Sequence, residues 1–324
     1  MRFKRMRSEV YMTPFEKYGK LHVAGKNLTD ASGNTVVLKG ISTHNLNEYP
    51  QYVNKEAFKQ FRDEYGVSIM RLAMYSAFAD NHEGYSDSND EHRAELEELI
   101  LKGASICREL GIYCMIDWHI LFDYDPNMHT DMAIGFFKNI CPKLKDFDNV
   151  FYEICNEPNM NLKTGEKTTW DEIKNYASKV IPVIKEIDDS KVIIVGTTIW
   201  SQGVDEAADA PLDFDNIMYT LHFYADTHRD ALRDKFIYAR GKNLPIFVTE
   251  FGVGDAEGDG VINVEESKKW LDLLNGEKVS HIIWNLSNKA ETSSIIKAGC
   301  SKINGFTDED LSPCGLMMKD IVSK

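Results

Sequence analysis

With 324 residues, 43% hydrophobic and 27% charged, the chain has the composition of an ordinary globular protein, which excludes a disordered or low-complexity polymer. Its formal charge of −14 excludes an electrostatic hold on nucleic acid or on an anionic membrane, both of which need clustered Lys and Arg. A neutral or cationic ligand fits better, and no apolar run approaches the length needed to cross a membrane.

The first residues are basic (Arg2, Lys4, Arg5, Arg7) and lack the apolar stretch of a signal peptide. Residues 1–17 therefore read as a flexible extension, with any export signal absent from this chain. Residues 21–23 and the start of the run 36–41 flank the turn-like segment 30–34 and predict a hairpin. Short β-rich runs then recur at 36–41, 67–73, 113–116, 150–154, 192–196, 217–221, 246–249 and 281–285. Helical patterns lie between most of them, at 90–110 (ended by Gly111), 171–187, 229–240 and 265–274. Strand alternating with helix implies parallel pairing through right-handed crossovers. Eight such units predict an α/β fold, a closed (β/α)8 TIM barrel over 18–324 as one domain, with the hairpin plugging its floor. An open doubly wound sheet would alternate similarly, but no G-x-G-x-x-G follows the first strand and no P-loop motif occurs. Six cysteines are too few and too scattered for a disulfide scaffold or zinc ribbon; only Cys300 and Cys314, in a polar segment, look available for a bridge.

Residues able to do chemistry stand at the C-terminal ends of these runs: Arg71, Asp117-Trp118-His119, Asn156-Glu157-Pro158, His222-Phe223-Tyr224, Glu250 and Trp284. In a barrel such ends converge on one rim, where catalytic groups of this architecture sit. Taken singly, most have ordinary explanations: Arg71 as an ion-pair partner, His119 or His222 as a satisfied core histidine, Trp284 as packing. Glu157 and Glu250 differ, because each follows an apolar run and is withdrawn from water, where an ionised carboxylate needs a partner or a task. About 5 to 5.5 Å apart, the two would suit double displacement at a glycosidic carbon, one attacking and one protonating the departing oxygen. Arg71 and Tyr224 are then expected beside Glu250, and Asn156 against a sugar hydroxyl. Aromatic faces for sugar rings are offered by Trp284, Trp200, Trp118 and Tyr75. Metal chemistry through His119, His222, Glu157 and Glu250 is the main rival, but there is no H-E-x-x-H, no clustered Cys/His pair and no oxygen-rich loop of the EF-hand type. No G-x-S-x-G supports serine hydrolysis.

The motifs Tyr18-Gly-Lys-Leu, Leu38-Lys-Gly-Ile-Ser-Thr-His44, Arg71-Leu-Ala-Met-Tyr75, Ile116-Asp-Trp-His119, Tyr152-Glu-Ile-Cys-Asn-Glu-Pro158, Met218-Tyr-Thr-Leu-His-Phe-Tyr224, Phe247-Val-Thr-Glu-Phe-Gly252 and Trp284-Asn-Leu-Ser-Asn-Lys-Ala-Glu291 occur in order. Together they resemble glycoside hydrolase family 5, in its bacterial-type endoglucanase branch, from Tyr18 to the C-terminus. The resemblance implies Glu157 as acid/base and Glu250 as nucleophile of a retaining enzyme. It gives supporting roles to Arg71, His119, Asn156, His222, Tyr224 and Trp284, and places His44, Tyr75, Trp200, Lys289 and Glu291 along outlying subsites. No metal or organic cofactor is implied. Three departures bear on subsite preference: Glu48-Tyr49 where Trp is frequent near the His44 motif, Phe251 for a Trp after the nucleophile, and Asn288 for Asp. The expected activity is endo-hydrolysis of β-1,4-glucan by an extracellular monomer. The alternatives are a β-mannanase or xyloglucanase, a glucan-binding protein without turnover, and a barrel lyase or aldolase.

Overall fold

The computed structural model describes residues 12–323 apart from Asp80 and Leu162. Of the expected extension, residues 1–11 lie outside this range. Farther on, Thr13 and Glu16 form a reciprocal capping box for helix α1 (Pro14–Tyr18). That helix docks through Phe15 N–H to Gly111 O at 2.8 Å and an edge contact of Phe15 on Tyr113.

The hairpin exists, but its second strand is not the one expected. Strand β1 (His22–Ala24) pairs antiparallel with β2 (Asn27–Thr29). Gly25 at φ +56° supplies the left-handed conformation that so tight a reversal needs. Segment 30–34 is a separate turn, closed by Asp30 accepting from Ser32 N and Asn34 N, and Thr35 makes only an isolated bridge to Thr29. Leu21, Leu28, Val36 and Leu38 are buried against Ile69, Tyr113 and Phe151, so the hairpin does close the barrel floor.

Eight strands then form a closed parallel barrel in chain order: β3 (Lys39–Thr43), β4 (Ile69–Tyr75), β5 (Tyr113–His119), β6 (Val150–Glu153), β7 (Ile193–Val195), β8 (Ile217–Tyr224), β9 (Ile246–Gly252) and β10 (His281–Leu286), which returns to β3. The expected helices appear as α3 (Asp90–Leu110), α5 (Trp170–Ile187), α8 (Asp230–Gly241) and α9 (Val264–Gly276). They are joined by α2 (Lys55–Tyr65), α4 (Thr130–Ile140), the single turn α6 (Thr198–Ser201), α7 (Val204–Asp209) and α10 (Pro313–Val322). Alternate strand residues face outward and bury against this ring: Met70, Leu72, Ile116, Trp118, Tyr152, Leu221 and Phe251 belong to the large core between barrel and helices. Among the described residues no helix is long and apolar enough to cross a membrane. All six cysteines are unpaired. The expected Cys300–Cys314 bridge does not form, because Cys314 is buried and donates to Ser293 O while Cys300 donates to Asp310.

Candidate active site

Side chains directed to the barrel axis stack in layers, as closure of eight parallel strands requires. The lowest is apolar, with Ile69, Met115, Phe151, Ile194, Met218, Phe247 and Ile282. Two residues farther along the same strands stand Arg71, Asp117, Glu153, Thr220 and Thr249, all inaccessible to solvent. Period-two alternation thus carries the chain from a dry plug to a charged layer, and two residues on to the rim.

Arg71 organises that charged layer. Its Nε donates to Glu153 Oε2 at 2.7 Å, its Nη1 to Ser42 Oγ at 3.2 Å and Glu250 Oε2 at 3.1 Å, and its Nη2 to Asn156 Oδ1 at 2.5 Å. Nη2 also lies 2.9 Å from Asp117 Oδ2. Burial opposes the guanidinium charge, but Asp117, Glu153 and Glu250 outweigh it and keep Arg71 protonated. Burial likewise pushes Asp117 and Glu153 up to about 7, with Arg71 pulling both the other way. Glu153 and Thr249 were not foreseen as parts of the site, and Asp117 was named at its strand end without a role. For Glu153 and Thr249 the signal was available, since each sits at an inward position of a run already assigned, 150–154 and 246–249.

Glu250 reaches the rim through a bulge. Thr220 pairs with Phe247 and His222 with Glu250, so β9 spends one residue more than β8 there, and the same extra residue appears against β10. The bulge lets Thr249 and Glu250, adjacent in sequence, both face inward. Both oxygens of Glu250 are engaged, Oε2 by Arg71 and Oε1 by the Tyr224 hydroxyl at 2.8 Å. Glu157 follows β6 and is fixed by its own N–H on Ile120 O at 3.1 Å, with Oε1 2.8 Å from His222 Nδ1. One oxygen each of Glu157 and Glu250 and a ring nitrogen of His222 lie within 4.8 Å of one another. So close an approach suits the roughly 5 to 5.5 Å carboxyl separation of retaining glycosidases better than the roughly 6.5 to 9.5 Å of inverting ones.

The two acids are pushed apart in acidity. Burial raises Glu157 well above the carboxylate range, and the Glu250 charge raises it further. Burial also raises Glu250, but Arg71 and the Tyr224 hydroxyl oppose it there. Of the two, Glu157 therefore holds a proton the more tightly and Glu250 ionises the more readily. His119 and His222 are pushed well below the usual imidazole value, by burial first and then by Arg71, so both are neutral.

A cleft of about 1190 Å³ runs across the rim, lined among others by His44, Tyr75, His119, Trp200 and Trp284. Tyr75 stacks on His119 at 4.1 Å and His119 on Trp284 at 5.4 Å, giving an aromatic wall next to the acids. Trp200 lines the same cleft from the turn α6, where Ile199, Trp200 and Ser201 all take positive φ. Lys289 pairs with Glu291 at 3.0 Å, and both line the cleft. Asn156 is buried beside it, its amide taken up by Arg71, Ile120 O and His119.

Trp118 is no sugar platform: it faces outward, fully buried, against Tyr85 and Phe136. The departures at Tyr49, Phe251 and Asn288 also fall away from the cleft lining. Tyr49 packs edge-on beneath His44, Phe251 stacks on Phe223 behind the barrel wall, and Asn288 donates to Cys300 O. Of the four residues weighed as a rival metal set, Glu157, His222 and Glu250 come together, and the Nδ1 of His119 is held by Asp117 at 2.6 Å. The loop from β9 to α9 does space Asp255, Glu257, Asp259 and Glu266 as a calcium loop spaces its oxygens, against expectation. There Glu266 is held by Arg233 and Lys269, and Asp255 accepts from Glu257 N and Asp259 N.

The family model for cellulase (glycosyl hydrolase family 5) matches residues 29–290. The chain belongs to glycosyl hydrolase family 5. Within that family it is 44% identical over 308 residues to Endoglucanase A of Butyrivibrio fibrisolvens, covering 95% of this chain and 69% of that protein. It is 42% identical over 302 residues to an endoglucanase of Clostridium saccharobutylicum, covering 93% and 64%. The chain thus spans about two thirds of the length of these relatives. The family 5 catalytic domain of Thermobifida fusca endoglucanase Cel5A, solved in complex with cellotetraose, superposes with a TM-score of 0.88 at 31% identity, covering 97% of this chain and all of that one.

Proposed function

We propose that this family 5 chain is an endo-β-1,4-glucanase that cleaves internal bonds of cellulose or a related β-glucan with retention of configuration. The observation that carries the reading is the pair formed by Glu157 and Glu250, an oxygen of each within 4.8 Å, with burial and the neighbouring charge raising Glu157 further than Glu250, which Arg71 and Tyr224 hold back. Glu250, oriented by Arg71 and Tyr224, attacks the anomeric carbon, while Glu157 gives its proton to the departing glycosidic oxygen. The glycosyl ester on Glu250 neutralises one charge as Glu157 acquires one, so the buried layer keeps its net charge through the step. Glu157 then takes a proton from water, the resulting hydroxide displaces Glu250, and both groups return to their starting states. A cleft open along the rim accepts a chain from the side and so cuts internally. Stacking against Trp200, Trp284 and Tyr75 suits the flat faces of β-linked glucose, with His44, Lys289 and Glu291 serving the outer rings. Polymeric substrate places the enzyme outside the cell, working as a monomer.

A panel of carboxymethylcellulose, mixed-linkage β-glucan, xyloglucan and mannan tests the reading. Viscosity of the first two should fall well ahead of reducing-sugar release, and proton NMR should show the β-anomer first. Cleavage confined to mannan or xyloglucan would replace the substrate, and α-anomer appearing first would remove the mechanism.

A further inference from the structure

Behind the acid/base residue runs an unbroken line of exchangeable groups that the double displacement does not itself use. Glu157 Oε1 lies 2.8 Å from His222 Nδ1, His222 Nε2 lies 2.9 Å from Thr249 Oγ1, and Thr249 Oγ1 lies 2.5 Å from Glu153 Oε1. Thr220 Oγ1 is a further neighbour of the Thr249 hydroxyl and accepts from Thr249 N. Every member beyond Glu157 is 1% exposed or less.

Hydrogen-bond capacity allows this line only two directions. Neutral imidazole has one N–H and one acceptor nitrogen, and a hydroxyl has one hydrogen. If His222 donates from Nδ1 to a Glu157 carboxylate, its Nε2 must accept from Thr249, and Thr249, its hydrogen spent, can only accept from a protonated Glu153. If instead Glu157 donates to Nδ1, Nε2–H donates to Thr249, and Thr249 donates to a Glu153 carboxylate. Thr220 can donate to Thr249 in either case. The two arrangements differ by one proton moved through three transfers. Glu157 O–H breaks as Nδ1–H forms, Nε2–H breaks as a new Thr249 O–H forms, and the old Thr249 O–H breaks as Glu153 O–H forms. Nothing else is consumed.

We infer that Glu153 is the inner terminus of a proton relay through Thr249 and His222, so that the acid/base Glu157 titrates jointly with a buried carboxylic acid it does not touch. The groups facing Glu153 and Glu157 are Arg71 from β4, Asp117 and His119 from β5, His222 and Tyr224 from β8, and Glu250 from β9. One fixed cation faces four acids, so at least one acid besides Glu157 gains by holding a proton. Glu153 is raised to about 7 by its burial, a range in which it can exchange with an acid/base group. With its proton on Glu153, the line presents a donor to the Glu157 carboxylate, the form that must persist between the two half-reactions. Glu153, Thr249 and His222 are positioning residues in this scheme.

The inference rests on Glu157 being the acid/base, and its test is a pH profile of kcat/KM on a soluble β-glucan. Thr249→Val keeps the β-branched shape and cuts the line; the carboxylate form of Glu157 loses its polarised donor, and the basic limb moves upward. Thr249→Cys, of similar size and a weaker donor, moves it the same way should the valine variant not fold. Thr249→Ser restores the hydroxyl and returns the limb to the wild-type position. Glu153→Gln, locked as a donor toward Thr249, moves the limb downward. Opposite displacements by Thr249→Val and Glu153→Gln, with rescue by serine, support the relay. A basic limb unmoved by the valine or cysteine variant, or displaced the same way by the Thr249 and Glu153 changes, overturns it. Either outcome leaves the role of Glu157 standing, since that role is judged by loss of activity in Glu157→Gln.

Discussion

Replacing Arg71 by Met removes the one cation of the buried layer while keeping much of its length. Arg71 makes contacts with Glu153, Ser42, Glu250, Asn156 and Asp117, three of them carboxylic acids within 3.1 Å. Breaking a buried ion pair costs about 3 to 5 kcal/mol, because the partner is left charged and unpaired. Three orphaned acids would cost far more if all stayed ionised, so they respond by protonating, and the measured loss depends on pH. Removing Arg71 raises their folded-state pKa values further above those of the unfolded chain. The folded state then holds protons the unfolded chain releases, so stability is retained at low pH and lost as pH rises. Urea unfolding at about pH 5 and about pH 8 should show a loss near 3 kcal/mol at the lower pH and a larger one at the higher. A domain of roughly 5 to 15 kcal/mol total stability survives the first and is endangered by the second. In the same variant the acidic limb of kcat/KM should move up, since Glu250 loses the group that keeps it ionised. An equal loss at both pH values, or one below about 1 kcal/mol, would mean that Arg71 only fills space and that the charged layer is organised otherwise.

Other outcomes follow from the same geometry. In the wild-type protein, Asp117 and Glu153 at about 7 stand above ordinary carboxylates, so the stability they contribute is complete below the unfolded carboxylate range. It declines as pH rises through 7, by on the order of 1 kcal/mol per pH unit for each group; Glu153→Gln should flatten that slope in thermal unfolding. The kcat/KM profile should be bell-shaped, with its acidic limb above the usual carboxylate value because Glu250 is raised, and its basic limb far above because Glu157 is raised more. Trp200→Ala should raise KM on cello-oligosaccharides roughly fivefold, about 1 kcal/mol of lost stacking, with kcat nearly unchanged. Because every cysteine is unpaired, a thiol reductant should leave the urea midpoint where it is, and a large drop would reveal a bridge.

The barrel was legible because its strands alternate: the positions that face the axis and those that face the helices can be counted off in twos. The rim residues were legible for the same reason, standing where each run ends. What the pattern did not reveal depends on backbone details. The hairpin turns on Gly25, a residue whose left-handed conformation leaves no periodic trace, so the more obvious turn at Asp30–Asn34 drew the expectation. Counted strictly in twos, Thr249 and Glu250 could not both face inward; the bulge in β9 breaks the count and brings both to the site. Trp118 was misread because an aromatic beside a catalytic motif looks available, although its odd-even position sends it outward. Glu153 and Asp117 were passed over as members of larger motifs, yet by parity each had to lie in the axis beside Arg71. Helices α2, α4 and α10 carry shorter or more mixed patterns, and their packing shows only in the folded chain.

The central claim is that Glu250 and Glu157 act on one anomeric carbon from a shared cleft. Incubation with an activated 2-deoxy-2-fluoro-cellobioside, followed by proteolysis and mass spectrometry, tests it most directly, because the fluorine slows release of the covalent intermediate. The label should be found in stoichiometric amount on Glu250, should form readily in Glu157→Gln with this activated leaving group, and should be absent from Glu250→Gln. A label on any other residue, or an undiminished label in Glu250→Gln, would contradict the account.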